Sequence, residues 1–208
     1  FEKSLKTIVI TSSGPGEGKT TTISNLAVTM AQSGSRTLLL DADLRKPKIH
    51  RMFGLSGKEG LTNILVTRQD YGIYVRETSV EGLHVITSGP IPPNPSEILG
   101  SAAMKNLLEE LKADYDMVLI DAPPVCTVTD AAVLSTLVDG VILVIDSGKV
   151  AIEASQRAKE LLCKVNAKII GVVLNNISRK NQGNYYYYYY HYYYLVGEKR
   201  ARKSGKKY

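Results

Sequence analysis

The chain has 208 residues, with 26 Lys and Arg, 20 Asp and Glu, and a net charge of +6. That length predicts one folded domain with a sizeable core and excludes a second catalytic domain of ordinary size. No apolar run approaches the ~20 residues that a membrane-spanning helix needs, so no such helix is predicted. The two cysteines, Cys126 and Cys163, lie in apolar stretches, which predicts reduced thiols buried as small hydrophobic side chains.

The positive charge is concentrated at the C-terminal end. Residues 178–208 contain eight Lys and Arg against a single acidic residue, Glu198. This segment lacks the apolar periodicity of residues 1–177 and cannot bury enough surface to offset the entropy of ordering. We therefore predict a folded domain over residues 1–177 and a mobile tail over residues 178–208, with the basicity belonging to the tail.

Apolar runs alternate with helical patterns along residues 1–177, as is typical of βα units on a parallel sheet. A strand at Leu5–Thr11 is followed by a helix at Lys19–Gln32, which Gly34 ends. The remaining strands are predicted at Thr37–Leu40, Leu83–Thr87, Met117–Ile120, Val141–Ile145 and Ile169–Leu174. Apolar stripes predict helices with inner faces at Met104, Leu107, Leu108 and Leu111, and at Ala154, Ala158, Leu161, Leu162 and Val165. The fold class is therefore α/β, a mostly parallel sheet flanked by helices, with a disordered, tyrosine-rich tail.

A glycine-rich loop joins the first strand to the first helix and reads Ser-Gly-Pro-Gly-Glu-Gly-Lys-Thr. Glycines at alternate positions let backbone N–H groups turn toward phosphate oxygens, and the new helix adds its positive end. The lysine then places a cation on the outer phosphates, and the threonine offers a hydroxyl to Mg²⁺. The loop predicts a P-loop NTPase fold. Its expected nucleotide contacts are Ser13, Gly14, Gly16, Glu17, Gly18, Lys19, Thr20 and Thr21.

Three carboxylates follow predicted strands. Asp41 and Asp43 come after the second strand, and Asp121 ends a later one. The carboxyl ends of parallel strands meet at the edge where the glycine-rich loop lies, so all three are expected near the nucleotide. Carboxylate oxygens suit Mg²⁺, and one carboxylate could accept the proton of an attacking hydroxyl. Acidic caps of ordinary strand-to-helix turns are the alternative, and spacing alone does not assign Asp41 and Asp43 separately.

Nine of the ten residues from Tyr185 to Tyr194 are tyrosine, interrupted only by His191. A tyrosine hydroxyl with a pKa of about 10 is uncharged at neutral pH, so such a run must serve stacking, hydrogen bonding or modification. Together with a nucleotide loop it suggests a kinase that carries its own substrate. The expected phosphate acceptors are Tyr185, Tyr186, Tyr187, Tyr188, Tyr189, Tyr190, Tyr192, Tyr193 and Tyr194.

On these motifs the chain resembles the bacterial tyrosine kinases of capsule and exopolysaccharide synthesis. In that family Ser13–Thr20 corresponds to the Walker A motif, Asp41–Arg45 to Walker A′, and Asp121–Pro123 to Walker B. The segment Gly89–Glu97 resembles the family's proline-rich segment, and the tyrosine run resembles its autophosphorylation cluster. The resemblance covers essentially the whole chain.

The resemblance implies an ATP-dependent protein-tyrosine kinase that uses Mg²⁺. It assigns Lys19 and Thr20 to phosphate and Mg²⁺, Asp43 and Asp121 to support of the metal, and Asp41 to the role of base. The catalytic set is thus Lys19, Asp41, Asp43 and Asp121.

Four further residues are expected around the nucleotide. Arg45 and Lys46 could neutralise phosphate charge, with a solvated basic turn as the alternative. Asn175 and Asn176, at the end of the last strand, stand where relatives of this fold read adenine, with ordinary turn asparagines as the alternative.

The family's partners are also expected here. They are a membrane adaptor of the polysaccharide co-polymerase type, a phosphotyrosine phosphatase, and further copies of the chain, with transfer between subunits and assembly into a ring. A cytoplasmic location at the inner face of the membrane follows from the adaptor, and no specific nucleic acid is expected.

Two other functional classes fit parts of the sequence. Switch ATPases of the septum-positioning and partitioning type share the strands and carboxylates, but they place a second lysine early in the loop, where this chain has Gly14. Single-strand nucleic-acid binding would use the tyrosines for stacking and the basic tail for phosphates. Tyrosines without interleaved glycine or arginine are poor support for that reading.

Overall fold

The structure is a computed structural model that describes residues 5–177. The chain divides after Asn175 into two units, and the fold below is that of the first. The tyrosine run and the predicted tail lie outside the described residues.

Seven strands form one sheet in the order β3-β4-β2-β5-β1-β6-β7. All neighbouring pairs are parallel except β3 with β4, which confirms the predicted mostly parallel sheet. Each predicted strand is present within one or two residues of its expected bounds. The strands are β1 Thr7–Ser12, β2 Thr37–Asp41, β3 Arg76–Glu77, β4 Leu83–Ile86, β5 Met117–Asp121, β6 Gly140–Asp146 and β7 Ile169–Asn175.

Seven α-helices connect these strands in the described part of the chain. They are α1 Lys19–Gln32, α2 Ile49–Met52, α3 Leu61–Thr67, α4 Pro95–Leu99, α5 Ala102–Asp114, α6 Asp130–Ser135 and α7 Ile152–Lys164. Helix α1 has the predicted bounds because two glycines frame it. Gly18 (φ 91°) precedes its first residue and Gly34 (φ 93°) follows its last turn, both in the left-handed region that L side chains disfavour.

The core consists of two apolar layers, one on each face of the sheet. On one face, Ile23 and Ala27 of α1 pack against alternate strand residues such as Ile10 and Leu119. On the other face, the predicted stripe of α5 packs against the opposite alternation of β1, β2 and β5, with α6 and α7 beside it. The stripe residues Met104, Leu107, Leu108 and Leu111 are all buried. Both faces are covered, as a parallel sheet requires.

Strand order brings the acidic strand ends to the glycine-rich loop. β1, which leads into that loop, lies between β5 and β6, and β5 lies between β1 and β2. In the register of the sheet Asp41 stands beside Asp121, and Asp121 stands beside Ile10 of β1. The crevice beyond the carboxyl ends of β1, β2 and β5 is therefore where a ligand of this fold is expected.

The structure corrects the prediction for the two thiols. Cys126 and Cys163 are both exposed. Cys163 directly follows buried Leu162 on α7 and so faces away from the sheet, and Cys126 lies in the loop after β5, beyond buried Val125. Among residues 5–177, no helix combines the length and apolar character needed to cross a bilayer.

Candidate functional site

The glycine-rich loop turns through two left-handed residues, Gly16 (φ 82°) and Gly18 (φ 91°). A side chain at Gly18 would collide with Asn175, because its Cβ would stand 2.1 Å from the Asn175 amide nitrogen. That same nitrogen donates a hydrogen bond of 3.0 Å to the carbonyl oxygen of Glu17. The end of β7 thus holds the loop closely, and only glycine fits at this approach.

Glu17 is a brace of the loop, since its side chain is buried and turned back on the backbone. Its Oε1 accepts hydrogen bonds from the Ser13 hydroxyl (2.5 Å) and from the backbone N–H of Gly14. Its Oε2 accepts the backbone N–H of Asp146 at the end of β6 (3.2 Å). The carboxylate therefore ties both ends of the loop to the sheet, and the Gly14 N–H points to Glu17 in this arrangement.

Lys19 lies between two of the predicted carboxylates. Its ammonium nitrogen is 3.1 Å from Asp43 Oδ2 and 3.4 Å from Asp121 Oδ1. All three side chains are nearly inaccessible to solvent. Burial alone would lower the pKa of Lys19, but the charges of Asp121 and Asp43 outweigh it and raise the pKa. Lys19 is thus firmly cationic at the mouth of the loop.

The oxygen ligands around Lys19 fit Mg²⁺. The Thr20 hydroxyl donates to Asp121 Oδ2 (2.7 Å), and Asp43 presents a second carboxylate across the Lys19 nitrogen. Within residues 5–177, no group of three or more His, Cys, Asp and Glu side chains could hold a metal ion. Mg²⁺ keeps water and phosphate oxygens in its shell and uses only one or two protein carboxylates, and Asp43 and Asp121 supply two at this position.

The Asp41 side chain is fully buried, and both of its carboxylate oxygens accept hydrogen bonds from backbone N–H groups. Its Oδ1 accepts the N–H of Asp43 (3.3 Å), and its Oδ2 accepts the N–H groups of Lys48 (3.2 Å) and Ile49 (3.1 Å). These bonds fix the first turn of α2 over the carboxyl end of β2. Asp41 is therefore both a carboxylate of the site and the anchor of the helix beside it.

Burial shifts the proton affinity of the carboxylates that line the sheet edge. Desolvation, with the charge of Asp121 added, raises the pKa of Asp41 to about 7 against the opposing N–H of Ile49. Desolvation likewise raises the pKa of Asp121 to about 6, although the Lys19 charge and the Thr20 hydroxyl oppose it. Two carboxyl groups thus titrate near neutral pH, where a general base works best.

A cavity of about 360 Å³ opens over the loop, within the size range of small-molecule sites. One side is formed by Gly16, Gly18, Lys19, Thr20 and Thr21, all predicted nucleotide contacts. The opposite side, here called the α2 wall, is formed by Lys48, Arg51 and Met52. This wall was not predicted from the sequence. The basic stretch after Asp43 was visible, but only a helix anchored by Asp41 turns its second half toward the loop.

Arg45 and Lys46, the two residues predicted to neutralise phosphate charge, have different surroundings in the structure. Arg45 forms a two-pronged ion pair with buried Asp130, with its Nε 2.9 Å from Oδ2 and its Nη2 3.0 Å from Oδ1. Ser96 also donates to Asp130, at 2.5 Å. A phosphate contact by Arg45 would have to compete with this pair. Lys46 donates its backbone N–H to Asp43 (3.0 Å), and its side chain is exposed.

The structure therefore brings together the loop, Asn175 and the three carboxylates at one end of the sheet. Glu17 and the N–H of Gly14 serve the loop's own geometry. Asn176 belongs to the second unit, so its adenine contact stays a prediction, as do the roles of the tyrosines.

A family described as the NUBPL iron-transfer P-loop NTPases (ParA) matches residues 4–203. Among curated proteins, "Tyrosine-protein kinase YwqD" of Bacillus subtilis is 45% identical over 184 residues, which are 88% of this chain and 78% of that protein. The chain belongs to the bacterial tyrosine kinases. These kinases share the ParA-like P-loop NTPase fold, and the fold implies nucleotide binding.

Solved structures agree with this assignment. The chain matches the "kinase domain of Escherichia coli tyrosine kinase ETK" with a TM-score of 0.83 and 34% identity, over 89% of this chain and 72% of that one. It matches the "chimerical protein CapA2B2" with a TM-score of 0.82 and 44% identity, over 86% and 79% of the two chains. The expected family and P-loop NTPase fold are confirmed, and the switch ATPase is the less supported reading.

The brace of the kinase's loop can be tested with Glu17→Gln. The amide keeps one acceptor oxygen but turns an NH₂ group toward a backbone N–H, so one end of the loop loses its partner. A buried N–H group without an acceptor destabilises the loop conformation by about 1–3 kcal/mol. We therefore expect ADP to bind roughly tenfold more weakly in a fluorescence titration. Glu153→Gln, on the exposed side of α7, is the control. Equal ADP affinity in both variants would show that Glu17 does not hold the loop in its binding conformation.

The raised pKa of Asp41 predicts a pH-dependent stability of the kinase without ligand. The ordinary pKa is 3.8 and the folded value about 7, so between these values the folded protein holds a proton that the unfolded chain has released. Stability is therefore lost as pH rises through this window. Asp41→Asn has no such proton.

We expect the free energy of unfolding of Asp41→Asn, relative to the native chain, to rise from about pH 4 to pH 7 and then level off. Urea denaturation without Mg²⁺ or nucleotide measures the difference. A difference that stays constant across this range would show that Asp41 titrates as an ordinary carboxylate.

Proposed function

We propose that this chain transfers the γ-phosphoryl group of ATP to tyrosines of its own C-terminal run and thereby regulates capsule or exopolysaccharide synthesis and export. The observation that carries the phosphoryl-transfer step is the placement of Lys19 between Asp43 and Asp121, beside Thr20, at the mouth of the loop cavity. Phosphoryl transfer needs little beyond such positioning and charge stabilisation. The nine tyrosines from Tyr185 to Tyr194 supply the acceptors on the same chain.

In the proposed reaction the loop N–H groups and Lys19 hold the phosphates, and Asn175 lies at the adenine side. Mg²⁺, held by Thr20 with Asp43 and Asp121, would neutralise phosphate charge when bound. A tyrosine oxygen forms a bond to the γ-phosphorus, the bond from that phosphorus to the β,γ-bridging oxygen breaks, and ADP leaves. The phenolic proton passes to Asp41, whose pKa of about 7 suits a base at neutral pH.

The proposal includes partners of stated kinds. A membrane adaptor of the polysaccharide co-polymerase type would recruit the chain to the inner face of the membrane, and a phosphotyrosine phosphatase would reset the tail. One similar solved chain is a chimeric protein, CapA2B2, which supports a partner polypeptide of the adaptor kind. Transfer between copies of the chain requires self-association, for which a ring is the expected form.

The first test is intact mass spectrometry of the full chain after incubation with Mg·ATP. We expect successive additions of about 80 Da, the mass of one phosphoryl group, on the native chain and none on Lys19→Met alone, because the loop cation is lost. Mixing Lys19→Met with a chain in which the nine tyrosines are phenylalanine distinguishes the route. Phosphate on the Lys19→Met chain shows transfer between molecules.

Two outcomes of this experiment would contradict the proposal. Steady release of inorganic phosphate with no mass added to the chain would favour a switch ATPase. Phosphate distributed over the tyrosines of the folded domain, such as Tyr71 and Tyr74, would separate the kinase activity from the tail.

The proposed role of Asp41 as the base can be distinguished by mutation from the proposed roles of Asp43 and Asp121 in holding Mg²⁺. Asp41→Asn should lower the rate of tyrosine phosphorylation by about 100-fold or more, the usual range for loss of a general base, and should leave Mg·ADP affinity within a few fold. Asp43→Asn and Asp121→Asn should instead weaken the Mg²⁺ dependence of ADP binding. Titration calorimetry with and without Mg²⁺ gives this comparison. A loss of Mg·ADP binding in Asp41→Asn as large as in Asp121→Asn would remove the distinction.

A further inference from the structure

Two cations of the α2 wall have no role in the transfer proposed above. Lys48 and Arg51 line the cavity opposite the loop, and both side chains are exposed. Neither forms an ion pair with any acidic side chain in residues 5–177. Arg45, by contrast, is paired with Asp130. The wall therefore offers two positive charges that the described structure leaves available to an anion.

The wall is held in place by the site itself. Asp41 accepts the backbone N–H groups of Lys48 and Ile49, so the first turn of α2 is fixed to the end of β2. Lys48 and Arg51 are three positions apart and lie on one face of that turn. At the end of the same turn, the Met52 sulfur accepts a contact from the Ser24 hydroxyl of α1 at 3.6 Å. The two cations are thus presented to the cavity by a fixed support.

The nucleotide does not account for these charges. In the proposed reaction its phosphates are held by the loop N–H groups, the positive end of α1 and Lys19. The other anion that the reaction brings to this cavity is one it makes, a phosphotyrosine next to the tyrosine that reacts. In an extended run, alternate side chains lie on one side about 7 Å apart. Each phosphate carries about −1.5 to −2 charges and would be repelled by bound ATP unless cations face it.

We propose that Lys48 and Arg51 bind a phosphotyrosine already formed in the tail while a neighbouring tyrosine enters the cavity. This inference rests on the proposed function. The arginine can take two phosphate oxygens at once and the lysine acts as a point charge, while the half-exposed Met52 gives an aromatic ring an apolar surface. A tail that carries one phosphate is then a better acceptor than an unmodified tail, and phosphorylation of the run accelerates after its first step.

The test compares two double variants of the full chain that remove equal charge. Lys48→Gln/Arg51→Gln changes the wall, and Lys105→Gln/Lys159→Gln removes two exposed cations of α5 and α7 that lie outside the cavity. Each is incubated with Mg·ATP, and intact masses are recorded against time. We expect the rate of the second and later additions, divided by the rate of the first, to fall about tenfold in the wall variant only, which corresponds to about 1.4 kcal/mol.

The binding step is measured separately by fluorescence anisotropy with a synthetic Tyr₄ peptide and the same peptide carrying one phosphotyrosine. The native chain with Mg·ADP should prefer the phosphopeptide, and the wall variant should lose the preference. An unchanged rate ratio would overturn the inference. So would a loss of Mg·ADP affinity in the wall variant as large as its loss in the later additions, since the cations would then serve the nucleotide. A native chain that adds no phosphate to tyrosine would instead overturn the proposed function.

Discussion

The site depends on one buried cation between carboxylates. Asp43 and Asp121 stand close together at the end of the sheet, out of contact with water, and the Lys19 ammonium lies within 3.1 and 3.4 Å of them. Two unpaired carboxylates there would be costly, because a desolvated charge needs a partner. The same lysine begins α1 and so is the residue that a bound phosphate would attract. A ligand that brings its own divalent cation could release Lys19, because that cation would then pair with the two carboxylates. The arrangement of Lys19, Asp43 and Asp121 is therefore suited to binding a nucleotide together with Mg²⁺.

A second constraint joins the chemistry to the shape of the cavity. Asp41 ends β2 beside Asp121, and its carboxylate also anchors α2 through the N–H groups of Lys48 and Ile49. The residue proposed to take the proton therefore also sets the position of the wall opposite the loop. Glu17 has a comparable double role, since it joins the loop to the end of β6. In both cases a buried carboxylate replaces water for several backbone N–H groups, which makes the cavity rigid where phosphates must be placed.

The elements that were predicted correctly are those whose bounds are determined by a local sequence pattern. Helix α1 was predicted with its observed bounds because Gly18 and Gly34 mark its two ends, and the strands were found from their apolar runs. Three of these strands extend one residue further than predicted, to Asp41, Asp121 and Asp146, because sheet pairing continues through the acidic residue. The two-residue β3 was missed, since its pairing with β4 leaves almost no periodic signal.

Contacts between distant segments could not be read from the sequence. The pair of Arg45 with Asp130 joins residues 85 positions apart, and no pattern near either residue indicates the other. Glu17 was expected among the nucleotide contacts, and only the folded loop shows that it faces its own backbone. The exposure of Cys163 depends on one step around a helix from Leu162, a difference that apolar neighbours in the sequence conceal. The candidate site was thus predicted as a set of residues, but its internal bonding was not.

The fold alone does not decide between hydrolysis and transfer to tyrosine. A Cβ at Gly14 would meet Glu17 Oε1 at 3.5 Å, an ordinary contact, so the backbone at this position does not itself require the glycine that replaces the second lysine of the switch ATPases. The carboxylates and the loop are the parts common to both functions. In the proposed reaction the difference is the surface that the acceptor meets on its way to the γ-phosphate, which the further inference places at the α2 wall, with its two available cations and exposed methionine. If the proposed function holds, selection of phenol over water arises at the mouth of the cavity, outside the phosphate loop.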